Sequence, residues 1–299
     1  SNGVAISPPT YQGIQSLVEY LYYVPAPGAS ASLYEGGRLF VNDPVTRIEK
    51  TTDGITVRHG QQGQEDQFVF VVVSSTQWAT QMSLEFIGFS ECELPQAKII
   101  TANTQHNISS CKLFFPLKVK YWELEGNKIP QIIVTDTYIQ DIYALSWTNK
   151  PDDHGVLLAS YTWEDDSLKL LPFNKNELSA LVLAKLMEIT QSTVGEDITQ
   201  YIDETKPVTI QWINEPTYIG CAKLYRAWNE VDNMLDLSYN QNYGAKSNLY
   251  FAGENYGVEG GWTEPALRSG LDCVLQLLNN VNANFNAPSF DFAIDYPKW

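Results

Sequence analysis

A glycine-rich stretch near the carboxyl end has the residue types and spacing to bind a ligand through bare backbone. Residues 249–252 form a short apolar run typical of a buried strand, and a helix is expected over residues 263–278. Three glycines lie between them: Gly257, Gly260 and Gly261. Glycines leave room for a planar ligand, and the unpaired amides of a helix start suit a phosphate or a negatively charged ring. Many such junctions are only tight turns, so the pattern alone leaves both interpretations open.

A lysine lies inside an apolar strand. Lys112 stands in the run Ser-Ser-Cys-Lys-Leu-Phe-Phe, so its amine lies either at a solvent-exposed sheet edge or in a cavity. The sheet edge is the commoner place for such a lysine. In a dry cavity the amine would instead be able to hydrogen-bond a catalytic water.

Three aromatic residues are candidates for a pocket wall. Tyr161 ends an apolar strand, where a phenol can donate a hydrogen bond to a carboxylate, although an ordinary core aromatic fits equally well. The acids Asp165 and Asp166 beyond it are expected to form a turn or helix cap rather than a cation site. Trp212 is expected to be a strand aromatic in the core. Trp262 directly follows the glycines and should flank any ligand that binds beside them.

The elements that position these residues alternate between strand and helix types. Apolar spacing predicts a helix over 13–21 and 176–190, and strands over 38–49, 54–58, 68–73, 111–119, 131–135 and 156–163. The unbroken apolar run 68–73 is typical of a strand covered on both faces. Because the closing strand-helix unit resembles the opening in type, the middle is expected to be an inserted domain. The expected boundaries are 1–75, 76–245, 246–281 and a carboxy-terminal extension 282–299.

Composition excludes several classes of protein. The 19 Lys and Arg against 35 Asp and Glu give a formal charge of −16, which opposes binding to nucleic acid or to an anionic membrane. No apolar run reaches the length of roughly 18 residues that a spanning helix needs. The 4 cysteines and 3 histidines are scattered, so reduced structural thiols and no metal site are expected. A cytoplasmic location is expected.

The chain starts without a methionine. It begins Ser1-Asn2-Gly3, and no strand-glycine-helix nucleotide fingerprint follows near that start. Processing or dissection from a longer precursor would produce such a beginning, and so would an artefact of expression.

The motifs around these candidates resemble those of a known family. Tyr250-Phe-Ala-Gly-Glu254 followed by Gly261-Trp262-Thr-Glu-Pro-Ala-Leu-Arg-Ser-Gly270 resembles the carboxy-terminal flavin motif of flavin amine and L-amino-acid oxidases. Residues 13–17, 43–48 and 110–115 are similar to further segments of that family. Residues 160–167 and 212–224 narrow the resemblance to the branch of tryptophan and phenylalanine 2-monooxygenases and lysine-oxidising enzymes. The resemblance implies a mixed α/β (α+β) fold, in which a mixed-sheet substrate domain is inserted into an FAD-binding domain.

The resemblance also implies a cofactor, FAD, and roles for particular residues. Lys112 would hold the water used in flavin reoxidation, and Tyr161 would help bind the substrate carboxylate, while Trp212 and Trp262 would wall the side-chain pocket. Val45 would contact adenine through its backbone, and Glu254 would hydrogen-bond the ribityl or phosphate region. The remaining cofactor contacts implied are Gly253, Gly261, Trp262 and Thr263, beside the isoalloxazine.

The implied reaction is oxidation of an L-amino acid at Cα, giving keto acid, ammonia and hydrogen peroxide, or an amide by oxidative decarboxylation. The family's amino-terminal dinucleotide fingerprint and its carboxylate-binding arginine segment are missing from this sequence. The resemblance therefore implies either that a separate amino-terminal FAD-binding chain completes a hetero-oligomer, a dimer of heterodimers, or that the missing half was removed from this sequence. An amine or polyamine oxidase without carboxylate recognition, and a non-catalytic binding subunit, remain alternatives. Aromatic lining favours an aromatic or long aliphatic substrate, whereas acids would select a cationic one: Asp141, Asp152 or Asp153.

Overall fold

The computed structural model describes residues 14–37, 39–90, 92–94, 106–146, 153–224, 247–283 and 291–296. In chain order they form α1 (Ile14–Tyr23), β1 (Val45–Thr51), β2 (Gly54–His59), β3 (Gln64–Phe68), β4 (Val71–Val73), α2 (Gln77–Ser83), β5 (Glu85–Ile87), β6 (His106–Ile108), β7 (Ser110–Pro116), β8 (Ile132–Val134), β9 (Asp141–Leu145), β10 (Val156–Trp163), α3 (Glu164–Leu168), α4 (Lys175–Val194), β11 (Val208–Gln211), β12 (Ala222–Leu224), β13 (Leu249–Phe251), α5 (Thr263–Asn280) and α6 (Phe292–Asp295). Helices and strands are mixed along the chain, as the predicted fold class requires.

The chain folds as two compact units. The first unit is Ser1–Val41 with Ser110–Gln211, and the second is Asn42–Ser109 with Trp212–Trp299. The domain boundaries expected from the sequence stay a prediction. Within the described residues, no helix is both long and apolar enough to cross a membrane.

The first unit is built on a five-stranded antiparallel sheet of order β11-β7-β10-β9-β8. Alternation along β7 places Cys111, Leu113 and Phe115 in the core. Helix α4 packs onto the same core through side chains four residues apart, which lie on one helical face: Leu178, Val182 and Leu186. The other face of the sheet therefore carries Lys112.

Helix α4 has strong end signals and runs farther than the predicted 176–190. The Asn174 side chain accepts hydrogen bonds from the backbone N–H groups of Asn176 and Glu177, and the Glu177 carboxylate accepts one from the Asn174 N–H. Gly195, at φ 75°, ends the helix in the left-handed region. The predicted helix is confirmed, and the capping residues account for its added length.

A β-bulge interrupts β10 beside β7. Leu158 pairs with Phe114 and Ser160 pairs with Leu113, so Ala159 is an extra residue on β10. The bulge exchanges the two faces of the strand beyond it. Tyr161 consequently pairs with Lys112 and shares its face of the sheet.

The second unit combines three sheets with helix α5. Strands β3-β2-β1 form an antiparallel meander, β5 pairs parallel to β1, β4 pairs parallel to β13, and β12 pairs antiparallel to β6. Leu249 and Phe251 pack with the meander residues Ile48 and Ile55. Tyr250 and Ala252, on the opposite face of the closing strand, pack against Cys273 of α5. This burial on both faces explains the apolar run 249–252.

Two strand predictions in this unit are wrong in extent. The strand expected over 38–49 begins only at Val45, because Asn42 has φ 58° and Pro44 has no N–H to pair. The run expected as one doubly covered strand over 68–73 is divided between β3, which pairs with β2, and β4, which pairs with β13. Val69 and Val72 are 65% and 45% exposed, so this run is not covered on both faces within the described part of the chain.

Candidate functional site

Lys112 occupies the middle of the first unit's sheet. Strand β7 lies between β11 and β10, so the edge-strand interpretation is wrong. The Nζ atom lies 4.5 Å from the centroid of the Tyr161 ring, a distance at which the negative face of the ring attracts a cation. The rest of this face near Lys112 is largely apolar, with Phe114, Leu158 and Ile210 on neighbouring register positions. The structure thus brings together two predicted site residues.

A buried hydroxyl lies on the same face as Lys112. Ser110, two residues earlier on β7, is 1% exposed, and its Oγ has no hydrogen-bond partner among the described residues. A buried polar atom without a protein partner is a usual binding point for an ordered water or a ligand. This fits the water-holding role predicted for Lys112.

The acids proposed to select a cationic substrate have different surroundings. Asp141, on β9, pairs with Tyr161 and shares the face that carries Lys112. Asp153 instead forms an ion pair with Lys120 at 3.3 Å and is buried against it. Asp152 lies outside the described residues. Of the two acids that can be placed, only Asp141 adjoins the predicted substrate-binding tyrosine.

The second unit holds the glycine turn, residues 253–262, between β13 and α5. Glu254 organises this turn, because its Oε1 accepts hydrogen bonds from the Gly261 N–H at 2.6 Å and the Lys223 N–H at 3.1 Å. Gly253 has φ 127° and donates its N–H to Ser269 at 3.3 Å. The role predicted for Glu254 towards the ribityl or phosphate region of FAD stays a prediction, and the structure adds a role in shaping the turn.

The glycines of the turn serve different purposes. A Cβ on Gly257 would lie 2.8 Å from the Pro265 carbonyl oxygen, and one on Gly260 would lie 2.1 Å from the Lys223 carbonyl oxygen. The room expected for a ligand beside these two glycines is therefore filled by protein backbone. Gly261 has φ 80°, a backbone conformation that favours glycine, and the space that a side chain would occupy there is open.

The start of α5 fits a negatively charged or polarisable ring. Trp262 is the N-cap residue, and its side chain makes no capping hydrogen bond to the first turn of the helix. Trp262 is 72% exposed and Gly261 and Thr263 are exposed as well. An uncapped helix start of this kind concentrates partial positive charge where the flavin pyrimidine edge is predicted to lie. The residues present therefore fit the cofactor.

Val45 and Trp212 lie elsewhere in the second unit. Val45 begins β1 and lines a largely apolar cavity of about 370 Å³, together with Val71, Val73 and Ser74. Trp212 begins a 3-10 turn after β11, which corrects the prediction of a strand aromatic. Its ring contacts that of Tyr218 edge-on at 5.3 Å, and its Nε1 is buried with no partner in the part of the chain that the structure describes. The roles predicted for both residues stay predictions.

The sequence interpretation missed one ionisable residue at the glycine turn. Lys223, on β12, is only 3% exposed, and its Nζ donates a hydrogen bond to the Gly257 carbonyl. Burial lowers the pKa of Lys223 to about 8, although the Glu254 carboxylate opposes part of that shift. A lysine in the otherwise apolar run Cys-Ala-Lys-Leu was the available signal.

Comparison with known proteins gives related sequences over most of the chain. It is 27% identical over 252 residues to a tryptophan 2-monooxygenase from Pseudomonas savastanoi, covering 81% of this chain and 44% of that protein. An L-amino-acid oxidase from Siganus canaliculatus is 27% identical over 237 residues, covering 78% of this chain and 42% of that protein. A tryptophan 2-monooxygenase from Pantoea agglomerans pv. gypsophilae is 26% identical, covering 93% and 49%. The chain spans about half the length of these relatives.

Solved structures of similar fold include two amine oxidases. Cyclohexylamine oxidase from Brevibacterium oxydans aligns with a TM-score of 0.58 and 16% identity, covering 80% of this chain and 48% of that one. A double mutant of putrescine oxidase aligns with a TM-score of 0.54 and 15% identity, covering 83% and 50%. At these identities the likeness concerns the fold alone, and it confirms the predicted fold class.

The family profile of flavin containing amine oxidoreductases matches residues 11–278. This range includes the face that carries Lys112 and Tyr161, the glycine turn and most of α5. The match confirms the predicted family, a family of oxidoreductases, and FAD as its cofactor. The chain therefore belongs to the family of flavin containing amine oxidoreductases.

Proposed function

We propose that this chain is one subunit of an FAD-dependent enzyme that oxidises an L-amino acid at Cα. A separate amino-terminal FAD-binding chain would complete it, as a dimer of heterodimers in the cytoplasm. The relatives named tryptophan 2-monooxygenase and L-amino-acid oxidase support the substrate class. The products would be keto acid, ammonia and hydrogen peroxide, or an amide after oxidative decarboxylation.

The observation that carries this proposal is the Lys112 ammonium held over the Tyr161 ring on a largely apolar face. Bound FAD would supply the chemistry by accepting a hydride from Cα and being reoxidised by oxygen. Lys112 would hold a water by hydrogen bonding, and the Tyr161 hydroxyl would bind the substrate carboxylate. The amides at the start of α5 would stabilise negative charge on the bound ring. Trp212 and Trp262 would wall the side-chain pocket.

Exposed apolar side chains support a partner chain. Leu39, Phe40 and Val41, which are consecutive in the first unit, are between 55% and 76% exposed. Clustered apolar exposure of this kind marks protein interaction surfaces. Light scattering of the assembled protein would test the proposed heterotetramer, and cell fractionation would test the location.

Co-expression with an amino-terminal FAD-binding chain tests the proposal directly. We expect FAD to co-purify with the two chains together, and peroxide or amide to form from L-amino acids. The substrate panel should contain aromatic and cationic amino acids, because Tyr161 adjoins both Trp163 and Asp141. Phenethylamine and putrescine serve as substrates without a carboxylate. Turnover of these amines at the rate of phenylalanine would favour an amine oxidase, and bound FAD without turnover of any substrate would favour a binding subunit.

Replacing Tyr161 with Phe should separate carboxylate recognition from catalysis. Tyr161→Phe keeps the ring under Lys112 but removes the hydroxyl, so we expect KM for the amino acid to rise about 10-fold, as for loss of a hydrogen bond to a charged group. Steady-state kinetics would measure it. The matched control is Tyr138→Phe, because the Tyr138 hydroxyl also donates a hydrogen bond, to the Leu181 carbonyl at 3.1 Å within the same unit. Equal KM values for wild type and Tyr161→Phe would refute carboxylate binding by this phenol.

A further inference from the structure

Lys223 is the most deeply buried lysine in the described part of the chain. It lies on β12, paired with Asn107 of β6, and is 3% exposed. Burying an amine is unfavourable unless its protons find acceptors, so a lysine in this place needs a compensating contact. The Gly257 carbonyl, which accepts from Nζ, provides one such contact.

The backbone of Lys223 also holds the glycine turn. Its N–H donates to Glu254 Oε1 at 3.1 Å, and the same oxygen accepts the Gly261 N–H at 2.6 Å. Its carbonyl oxygen lies so close to Gly260 that a Cβ there would be 2.1 Å away. Lys223 thus contacts three positions of the turn: Glu254, Gly257 and Gly260. Glu254 in turn accepts the hydrogen bond from the Gly261 N–H.

We propose that Lys223 is a positioning residue for the flavin, which holds the glycine turn in the form that presents the amides of Trp262 and Thr263 to the cofactor. The proposal rests on the proposed function only in assuming that FAD binds at this turn. Lys223 itself would not touch the reacting atoms. Its ammonium would fix the Gly257 peptide and offset the charge of the Glu254 carboxylate.

The charge on Lys223 gives the proposal a pH dependence. With a pKa of about 8, the amine is protonated at pH 7 and mostly neutral at pH 9, where it donates a weaker hydrogen bond and no longer offsets Glu254. If only the protonated form holds the turn, the Kd for FAD rises about 10-fold from pH 7 to pH 9. Other charged or titratable side chains lie on the turn and on the elements packed against it: Tyr256, Glu259, Glu264, Arg268, Asp272, Cys273 and His106.

Fold stability should change in the opposite direction. The pKa of Lys223 in the folded chain lies below the ordinary 10.5, so above pH 8 the unfolded chain binds more protons than the folded one. The free energy of unfolding of wild type, relative to that of Lys223→Met, therefore rises between pH 8 and 10.5, while the affinity of wild type for FAD falls. A role confined to the fold would produce only the first trend.

The test compares wild type, Lys223→Met, Lys223→Arg and the exposed control Lys206→Met in the assembled two-chain protein. FAD affinity is measured by fluorescence titration at pH 7 and pH 9, and hydrogen exchange is followed in peptides spanning the turn. We expect a 10-fold rise in Kd with pH for wild type and Lys206→Met. Lys223→Met should bind about 10-fold more weakly already at pH 7, with faster exchange in the turn. Lys223→Arg stays charged, so its Kd should not change with pH.

The Kd for FAD and hydrogen exchange in the turn together distinguish a failure of the role of Lys223 from a failure of the proposed function. Wild-type Kd that is equal at both pH values, or unchanged exchange and affinity in Lys223→Met, overturns the role of Lys223 alone. If Lys223→Met does not fold, the pH dependence of wild type against Lys223→Arg decides. Wild type that binds no FAD overturns the proposed function and the flavin role of Lys223 with it, even where exchange shows that the lysine holds the turn.

Discussion

Replacing Lys112 with Met should slow the reoxidation of the bound flavin by oxygen about 100-fold, within the range that positioned proton-transfer groups contribute. Methionine keeps the side chain as far as the Cε position and removes the ammonium, so it cannot hold a water by charge. Flavin reduction by the amino acid should change much less, because Lys112 is not proposed to contact Cα. The Ser110 hydroxyl on the same face remains as a partner for that water, but a neutral hydroxyl does not replace the charge of the ammonium.

Stopped-flow absorbance of the assembled protein would separate the two half-reactions. The matched control is Lys185→Met, because Lys185 lies 5.7 Å from the ring centroid of Tyr138 and so keeps a similar cation–ring contact away from the predicted site. Lys185→Met should reoxidise at the wild-type rate. Normal reoxidation in Lys112→Met would mean that the lysine has no part in the oxygen reaction.

Replacing Gly260 with Ala should disrupt the glycine turn and release FAD. The new Cβ would lie 2.1 Å from the Lys223 carbonyl oxygen, a distance that real Cβ atoms do not adopt, so the backbone must move. Overpacking against backbone should lower the free energy of unfolding by roughly 3 kcal/mol. The displacement would also carry Gly261 away from Glu254, and with it the amides predicted to face the flavin.

Denaturant unfolding and the FAD content after gel filtration would measure both effects. Gly270→Ala is the matched control, because Gly270 lies within α5 and a Cβ there meets nothing within 4 Å. The control should retain FAD and gain up to about 1 kcal/mol from its better helix propensity. Full FAD content and wild-type stability in Gly260→Ala would contradict the described packing of the turn.

Local patterns predicted the elements that carry their own signals. Helix α4 was predictable because its apolar spacing and its cap are local, and the strand, turn and helix from Leu249 to Asn280 were predictable for the same reason. The family motifs predicted which residues belong to the candidate site. The pairing of Lys112 with Tyr161 depends on two strands distant in sequence, and no local pattern contains it.

The misjudged features depend on partners far along the chain. The run 68–73 is apolar throughout, yet it divides because β2 and β13 pair with different parts of it. Gly257 and Gly260 were expected to admit a ligand, whereas Pro265 and Lys223 fill that room. In the sequence, Lys223 is a single charged residue in a short strand. Its amine contacts the Gly257 carbonyl, and that contact depends on the folded turn.

The extra residue Ala159 sets which side chain of β10 lies beside Lys112. If β10 kept Ala159 but paired with β7 without a bulge, Ser160 would lie beside Lys112 and the Tyr161 phenol would turn towards the core. Burying that phenol without a hydrogen-bond partner would be unfavourable. An in-frame deletion of Ala159 would instead remove the bulge and leave Ser160 paired with Leu113 and Tyr161 with Lys112. Engineering of substrate preference in this chain can therefore change the bend of β10 by deleting residue 159 without moving Tyr161 to the other face of the sheet.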